Sequence, residues 1–242
     1  MILSDPFAFL VSTLFLIPGA LIAVPVHELA HGFAALRMGD ATPRNRGFLS
    51  PTEPRKFFSL YGTLALLFWR VGWGQSVPIN ESRLNSLGQK VIYALAGPIA
   101  NLALAVVFGL ALRTLVASGS QPSPIKLVQP PIDLLGVVVW AAFFVNLAMF
   151  AFNLLPIPGL DGWRIIDALF RRRSPRFFFE ADMNRYRIVQ FVIIGFVIIS
   201  FVPGINLLNV ALLPIYAPAS YLILGQCVAY PGLSPCPQLG GS

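Results

Sequence analysis

Two histidines and a glutamate lie close together in an apolar stretch near the start of the chain. His27 and His31 are four residues apart, and Glu28 directly follows the first histidine. On a helix this spacing places both imidazoles on one face, where they reach one ion, with the carboxylate beside it. This is the HExxH arrangement of zinc hydrolases. This pattern predicts a hydrolytic zinc site. The two alternatives are that the pattern arose by chance and that these side chains are a buried polar group that only stabilises helix packing.

The pair of histidines supplies two ligands, whereas a catalytic zinc ion usually has three from protein. The chain has no other histidine, and its two cysteines, Cys227 and Cys236, are not near a plausible site. The third ligand is therefore expected to be a carboxylate, and Asp161 in "NLLPIPGLDG" is the candidate. The alternative is that "PGLDG" only ends a span, with Asp161 as a helix N-cap.

The composition is that of an integral membrane protein. Of 242 residues, 56% are hydrophobic and 11% are charged, against about 25% charged in soluble domains. The net charge is +7, and the cations lie in loops between apolar runs. This distribution favours the lipid bilayer as the partner and argues against nucleic acid. The N-terminus lacks a basic region, so we expect no cleaved signal peptide.

Five apolar stretches indicate an all-α polytopic membrane protein with about five membrane-spanning helices. They cover residues 7–37, 89–116, 133–156, 188–202 and 205–227. We expect residues 1–170 to form the functional core. Residues 171–242 are expected to be a terminal helical hairpin and tail of the same membrane domain.

The loop charges predict the orientation of the spans. Lysine and arginine number five in residues 37–56, seven in 161–187 and one in 117–132. The positive-inside rule then places both basic loops in the cytosol and the N-terminus outside. Because the first and third spans both run inward, residues 57–73 cannot cross once on their own. We therefore predict a re-entrant, β-like element at about 57–80 that lines the site with "GWGQSVPIN".

Three motifs occur in order: "HELAH" at 27–31, "ALAGPIAN" at 94–101 and "NLLPIPGLDG" at 153–162. In these motifs the chain resembles the site-2 protease family of intramembrane zinc metalloproteases, in the compact subgroup without PDZ or CBS domains. The resemblance covers about residues 10–170. It implies one zinc ion per chain and the following roles: His27, His31 and Asp161 as ligands, Glu28 as general base and Asn153 as the group that stabilises the oxyanion.

Taken without the resemblance, two of these motifs have structural interpretations. "GPIAN" lets helices approach through Gly97, and Asn101 hydrogen-bonds across them. Asn153 equally caps or cross-links a broken helix.

The chain also departs from the family at Trp163, where a small residue is usual. We expect this side chain to narrow or reshape the substrate path.

The resemblance implies an intramembrane zinc metalloendopeptidase that hydrolyses transmembrane protein substrates within or next to the bilayer. Its expected location is the plasma membrane, with the active site open to the cytosol. The alternative function is a catalytically inactive zinc-binding scaffold or regulator, which the presence of Glu28 disfavours. A transporter is disfavoured because the spans after residue 187 carry no charge.

Overall fold

The structure is a computed structural model that describes residues 6–50, 54–59, 62, 74–119, 133–200 and 207–225. Most of these residues are helical and none of them forms a strand, which confirms the predicted all-α class. The α-helices are α1 Pro6–Leu14, α2 Ile17–Arg37, α3 Thr42–Asn45, α4 Leu87–Ala117, α5 Leu134–Asn153, α6 Asp161–Phe170, α7 Pro175–Met183, α8 Arg185–Ser200 and α9 Leu207–Leu224. Short 3-10 helices lie at Pro54–Phe57 and Glu81–Arg83.

Three of the described helices, α2, α4 and α5, are long and apolar enough to cross a membrane. They have 21, 31 and 20 residues, and a span needs about 20. Helices α8 and α9 lie where the terminal hairpin is predicted, but its turn at Pro203-Gly204 lies outside the described residues. The total of five spans and the domain boundary at residue 170 stay predictions.

Local sequence signals set where α4 and α5 begin. The Ser86 hydroxyl accepts a hydrogen bond from the Gln89 N–H, and the Gln89 side chain accepts one from the Ser86 N–H. This reciprocal capping box satisfies amide groups that the first turn of α4 leaves free. The Asp133 carboxylate likewise accepts from the Gly136 N–H at the start of α5.

Helices α2, α4 and α5 pack against one another as a bundle, and α9 packs on α4 and α5. Helix α5 lies at the centre, and its side chains Phe143, Phe144 and Leu147 are fully buried. A helix that is apolar on all sides suits such a central position. The short helix α6 packs on α4 and so brings the end of the third motif to the bundle.

The two ends of the segment predicted to re-enter lie side by side. Phe58 and Gly74 form an isolated antiparallel bridge, and the Gln75 N–H donates to the Phe57 carbonyl over 2.8 Å. Residues 60, 61 and 63–73 lie outside the described part of the chain. The segment therefore leaves and returns at one place. Within the described residues its β-like character is limited to this bridge.

A buried carboxylate, Asp40, holds the returning chain at the C-terminal end of α2. Its Oδ2 accepts from the Asn80 N–H over 2.7 Å, and its Oδ1 accepts from the Thr42 N–H over 2.9 Å. Burial acts to raise the pKa of Asp40, but these hydrogen bonds outweigh it and hold the pKa below its ordinary value. The stabilisation from the ionised carboxylate is therefore present at neutral pH and is lost as pH falls through the lowered pKa.

Candidate metal centre

The three predicted ligands converge inside the bundle. Helix α2 presents His27 and His31 one turn apart, and the first residue of α6, Asp161, reaches them from the other side. The two Nε2 atoms lie 3.2 Å apart. Asp161 Oδ2 lies 3.2 Å from His27 Nε2 and 3.1 Å from His31 Nε2. All three side chains are buried, and together they form a group that could hold a metal ion.

The spacing of these three atoms fits zinc. A tetrahedral ion with bonds of about 2.0–2.1 Å has ligand atoms about 3.3 Å apart. The observed triangle, with sides of 3.1–3.2 Å, is close to one face of such a tetrahedron. Two imidazoles and one carboxylate are also a usual donor set for a catalytic zinc site, which leaves a fourth position for water or substrate.

Hydrogen bonds on the far side of each ring orient the histidines. His31 Nδ1 donates to the Tyr93 carbonyl over 2.8 Å, and His27 Nδ1 donates to Asn101 Oδ1 over 2.6 Å. Carbonyl oxygens only accept, so the proton of each neutral imidazole is on Nδ1. The Nε2 lone pairs then face Asp161, as metal ligation requires.

Asn101 belongs to a buried network that joins three helices. Its Nδ2 donates to the Ala23 carbonyl over 3.1 Å and to Asn146 Oδ1 over 2.9 Å, while Asn146 Nδ2 donates to the Ala142 carbonyl over 2.7 Å. Both asparagines are fully buried. With both amide hydrogens used, Asn101 can present only its oxygen to His27. The sequence predicted that Asn101 bonds across helices but missed Asn146, although a polar residue inside an apolar span was a signal.

Replacing Asn101 by alanine is expected to weaken zinc binding about 10–100-fold, because His27 loses the acceptor that orients it. Competition with a chromophoric chelator on purified protein measures this. Asn184→Ala removes an exposed asparagine on the surface and is the matched control, with unchanged affinity expected. Equal affinities of the Asn101→Ala variant and the wild type would contradict the orienting role.

Gly97 leaves the room that the two imidazoles occupy. A Cβ atom at this position would lie 2.4 Å from His31 Nε2 and 2.7 Å from His27 Nε2. Any side chain there would collide with both ligand atoms. The motif "GPIAN" thus does more than let helices approach. Gly97 leaves room for the two histidines, and Asn101 orients His27.

Asp161 is positioned by the start of α6, and its carboxylate does not cap that helix. The N-cap residue of α6 is Leu160, so Asp161 lies in the first turn and its side chain faces the histidines. Gly162 allows a close approach, because a Cβ there would lie 2.3 Å from the Leu154 carbonyl oxygen. The geometry therefore rejects the N-cap interpretation of Asp161.

The predicted base, Glu28, is buried on α2 beside the returning segment. Its Oε2 accepts a hydrogen bond from the Val77 N–H over 3.0 Å. A Cβ atom on Gly74 would lie 2.9 Å from Glu28 Oε1. Residues 74–77 of the segment predicted to line the site therefore contact the predicted base and hold one of its oxygens in place.

Asn153 is buried at the end of α5, and its Nδ2 donates to the Met149 carbonyl over 3.0 Å. This bond runs within the helix, as for a residue that stabilises a helix end. An amide has two N–H groups, so one donor is left for another acceptor. The oxyanion role of Asn153 stays a prediction.

Trp163 packs against α7. Its ring lies 5.3 Å from that of Phe178, and its Nε1 donates to Asp182 Oδ1 over 3.2 Å. Arg171 also donates to Asp182, so one carboxylate ties α6 to α7. The contacts give Trp163 a structural role between these helices, and the expected effect on the substrate path stays a prediction.

Comparison with known proteins identifies the family of the chain. The model of peptidase family M50 matches residues 119–199, a range that includes Asp161. The chain is 32% identical over 160 residues to YwhC of Bacillus subtilis (strain 168), covering 64% of this chain and 68% of that protein. It is 29% identical over 212 residues to Rip2 of Mycobacterium tuberculosis (strain ATCC 25618 / H37Rv), covering 84% of this chain and 72% of Rip2.

Both relatives are named as zinc metalloproteases. No solved structure matches the chain. The apolar helices, the buried His27–His31–Asp161 centre and these relatives lead to one conclusion. The chain belongs to peptidase family M50, the site-2 protease family, and is a zinc metalloendopeptidase integral to the membrane.

Proposed function

We propose that this protein cleaves transmembrane protein substrates within or next to the bilayer, as in regulated intramembrane proteolysis. The observation that carries the proposal is the position of the centre. His27, His31 and Glu28 are buried in the middle of α2, one of the helices long enough to span a membrane. A protease centre in that position meets peptide bonds that a soluble protease cannot reach.

The depth of the centre follows from helix geometry. His27 lies ten residues before Arg37, the last residue of α2. At 1.5 Å per residue this is about 15 Å from that end of the helix. This distance puts the centre near the middle of the membrane. With the basic loops in the cytosol, the centre opens to the cytosolic side.

The chemistry assigns a separate role to each side chain. His27, His31 and Asp161 hold zinc, which when bound polarises the scissile carbonyl and lowers the pKa of water. Glu28 accepts a proton from the attacking water and passes it to the leaving amine. Asn153 donates its remaining amide hydrogen to the developing oxyanion. The Val77 N–H holds Glu28 while leaving its second oxygen for the proton.

A transmembrane helix must unwind before hydrolysis, because its carbonyl groups are held in internal hydrogen bonds. Residues 74–80 are not helical, and Val77 within them contacts Glu28. We propose that their backbone groups form an edge for an extended substrate. Pairing of the substrate with this edge would keep the scissile bond exposed. Val77 and Gly74 would then be the nearest backbone positions to the reacting atoms.

Cleavage mapping tests the proposal. The purified protein is reconstituted in lipid vesicles with single-span test proteins, and mass spectrometry locates the cuts. We expect cuts near the middle of the substrate span, about 15 Å from its cytosolic end. Activity should vanish on chelation and return with added zinc. If the enzyme cut soluble test proteins but left the membrane-spanning test proteins whole, intramembrane proteolysis would be contradicted. The zinc protease activity itself would still stand.

We also propose that residues 57–80 enter from the cytosol and return there. The motivation is the side-by-side position of Phe58 and Gly74 and the bond from Asn80 to Asp40. Single cysteines near Asn80 and near Asn45 are expected to react with an impermeant reagent from the same, cytosolic side. A single cysteine at the N-terminus, which is predicted to lie outside, serves as the orientation control. Labelling of the Asn80 region from outside would contradict this topology.

A further inference from the structure

Helix α7 and the start of α8 expose large apolar side chains beyond the spanning helices. Phe179 is 60% exposed, Met183 70% and Tyr186 71%. Phe179 and Met183 are four residues apart and therefore share one face of α7. We call these two side chains, together with Tyr186 at the start of α8, the apolar face of α7. Outside the membrane-spanning helices, exposed clusters of this kind mark protein or membrane interaction sites.

This apolar face is not a missing part of the core. The other side of α7 is already buried against α6, through the cluster of Phe178, Ala181 and Trp163. The apolar face therefore points away from the rest of the described structure. No residue in the part of the chain that the structure describes covers it.

Cations flank the apolar face in the sequence. Arg172, Arg173 and Arg187 are exposed and make no ion pair with any described residue, whereas Arg171 and Arg176 are paired internally. The guanidinium of Arg185 lies 4.9 Å from the centre of the Tyr186 ring. The unpaired cations favour an anionic partner, and the aromatic and apolar side chains favour one with an apolar layer beneath its charge.

The position of α7 in the chain identifies that partner. Met183 lies two residues before α8, and the predicted apolar span begins at residue 188. Five residues of chain reach at most about 18 Å. The apolar face therefore lies close to the end of the predicted span, where the lipid headgroups are expected. Aromatic residues and arginine are typical of this level.

We propose that the apolar face of α7 and its free arginines bind the surface of an anionic lipid bilayer. Phe179, Met183 and Tyr186 insert between acyl chains, and Arg172, Arg173 and Arg187 pair with anionic phospholipid headgroups. The proposal rests on the membrane location of the protein and not on which substrate it cleaves.

The structure connects this surface to the metal centre. Asp182 on α7 accepts from Trp163 and from Arg171, and Trp163 follows the ligand Asp161 by two residues. The lipid surface thus anchors the helix pair that begins at a metal ligand. A change in headgroup charge would alter the position of α7 and, through these contacts, of α6.

A quenching experiment tests the proposal on the full chain. The cysteines at 227 and 236 are replaced by serine, Asn184 by cysteine, and a fluorescent label is attached there. The protein is reconstituted in nanodiscs containing equal amounts of neutral and anionic lipid, with either one or the other brominated. We expect brominated anionic lipid to quench at least about twofold more strongly than brominated neutral lipid, with the preference lost at high salt.

Variants decide whether the named side chains carry this effect. The triple change Arg172→Gln, Arg173→Gln and Arg187→Gln should abolish the preference, while Arg44→Gln with Arg46→Gln, in the other basic loop, should keep it. Phe179→Ser with Met183→Ser should reduce quenching by both lipids. Unchanged zinc content shows that each variant is folded. Equal quenching by both lipids in the wild type, or an unchanged preference in the triple variant, would overturn the proposal and point to an acidic protein partner.

Discussion

Replacing Glu28 by glutamine is expected to lower cleavage by about a hundredfold or more while zinc stays bound at about one ion per chain. Glutamine has nearly the same shape and still accepts a hydrogen bond from the Val77 N–H. It cannot take up the proton of the attacking water. The ligands His27, His31 and Asp161 are untouched, so the metal centre should survive. Elemental analysis and cleavage of a reconstituted substrate measure the two effects on the same preparation.

The matched control is Glu180→Gln, which changes an exposed glutamate on α7 that pairs only with Arg176. Its cleavage rate is expected to equal that of the wild type. Normal turnover by the Glu28→Gln variant would show that another group is the base. If the wild type and the variant both held zinc and neither cleaved any substrate, the zinc-binding scaffold would replace the protease as the better interpretation.

Replacing Asp161 by alanine is expected to remove bound zinc from the purified protein. Two imidazoles would remain, and two protein ligands do not make a stable zinc site. The loss of affinity should exceed the 10–100-fold loss expected for an outer-shell residue such as Asn101. Zinc content after dialysis against a mild chelator gives the measurement, with a fall from about one ion per chain to well below one.

Asp167→Ala is the control for this substitution, because Asp167 lies on the same helix but pairs with Arg171 and not with the histidines. It should retain full zinc. An Asp161→Ala variant with full zinc would remove Asp161 from the ligand set and leave the third ligand unassigned. Cleavage activity is expected to follow zinc content in both variants.

Several features of this protein follow from the sequence alone, because they depend on neighbouring residues. Helical periodicity places His27, Glu28 and His31 together on one turn. Ser86 and Gln89 form the capping box that begins α4. The apolar runs identify α2, α4 and α5 as candidate spans. Asp161 was inferred because so few residues in the chain can complete a zinc site.

Other features depend on contacts between residues far apart in the chain, and only the tertiary structure reveals them. His27 meets Asn101 across 74 residues, and His31 meets Asp161 across 130. A helix as uniformly apolar as α5 carries little periodic signal for which face meets which neighbour, so the link from Asn146 to Asn101 was not visible.

The same limit explains why Gly97 and Trp163 were only partly understood. The sequence shows a glycine inside a helix but not the two imidazoles that fill the space beside it. It shows an unexpected tryptophan but not Asp182, its hydrogen-bond partner on α7. Residue types and local spacing determined the chemistry of this protein. The packing of its helices decided which groups orient that chemistry, because packing depends on shape across the whole bundle.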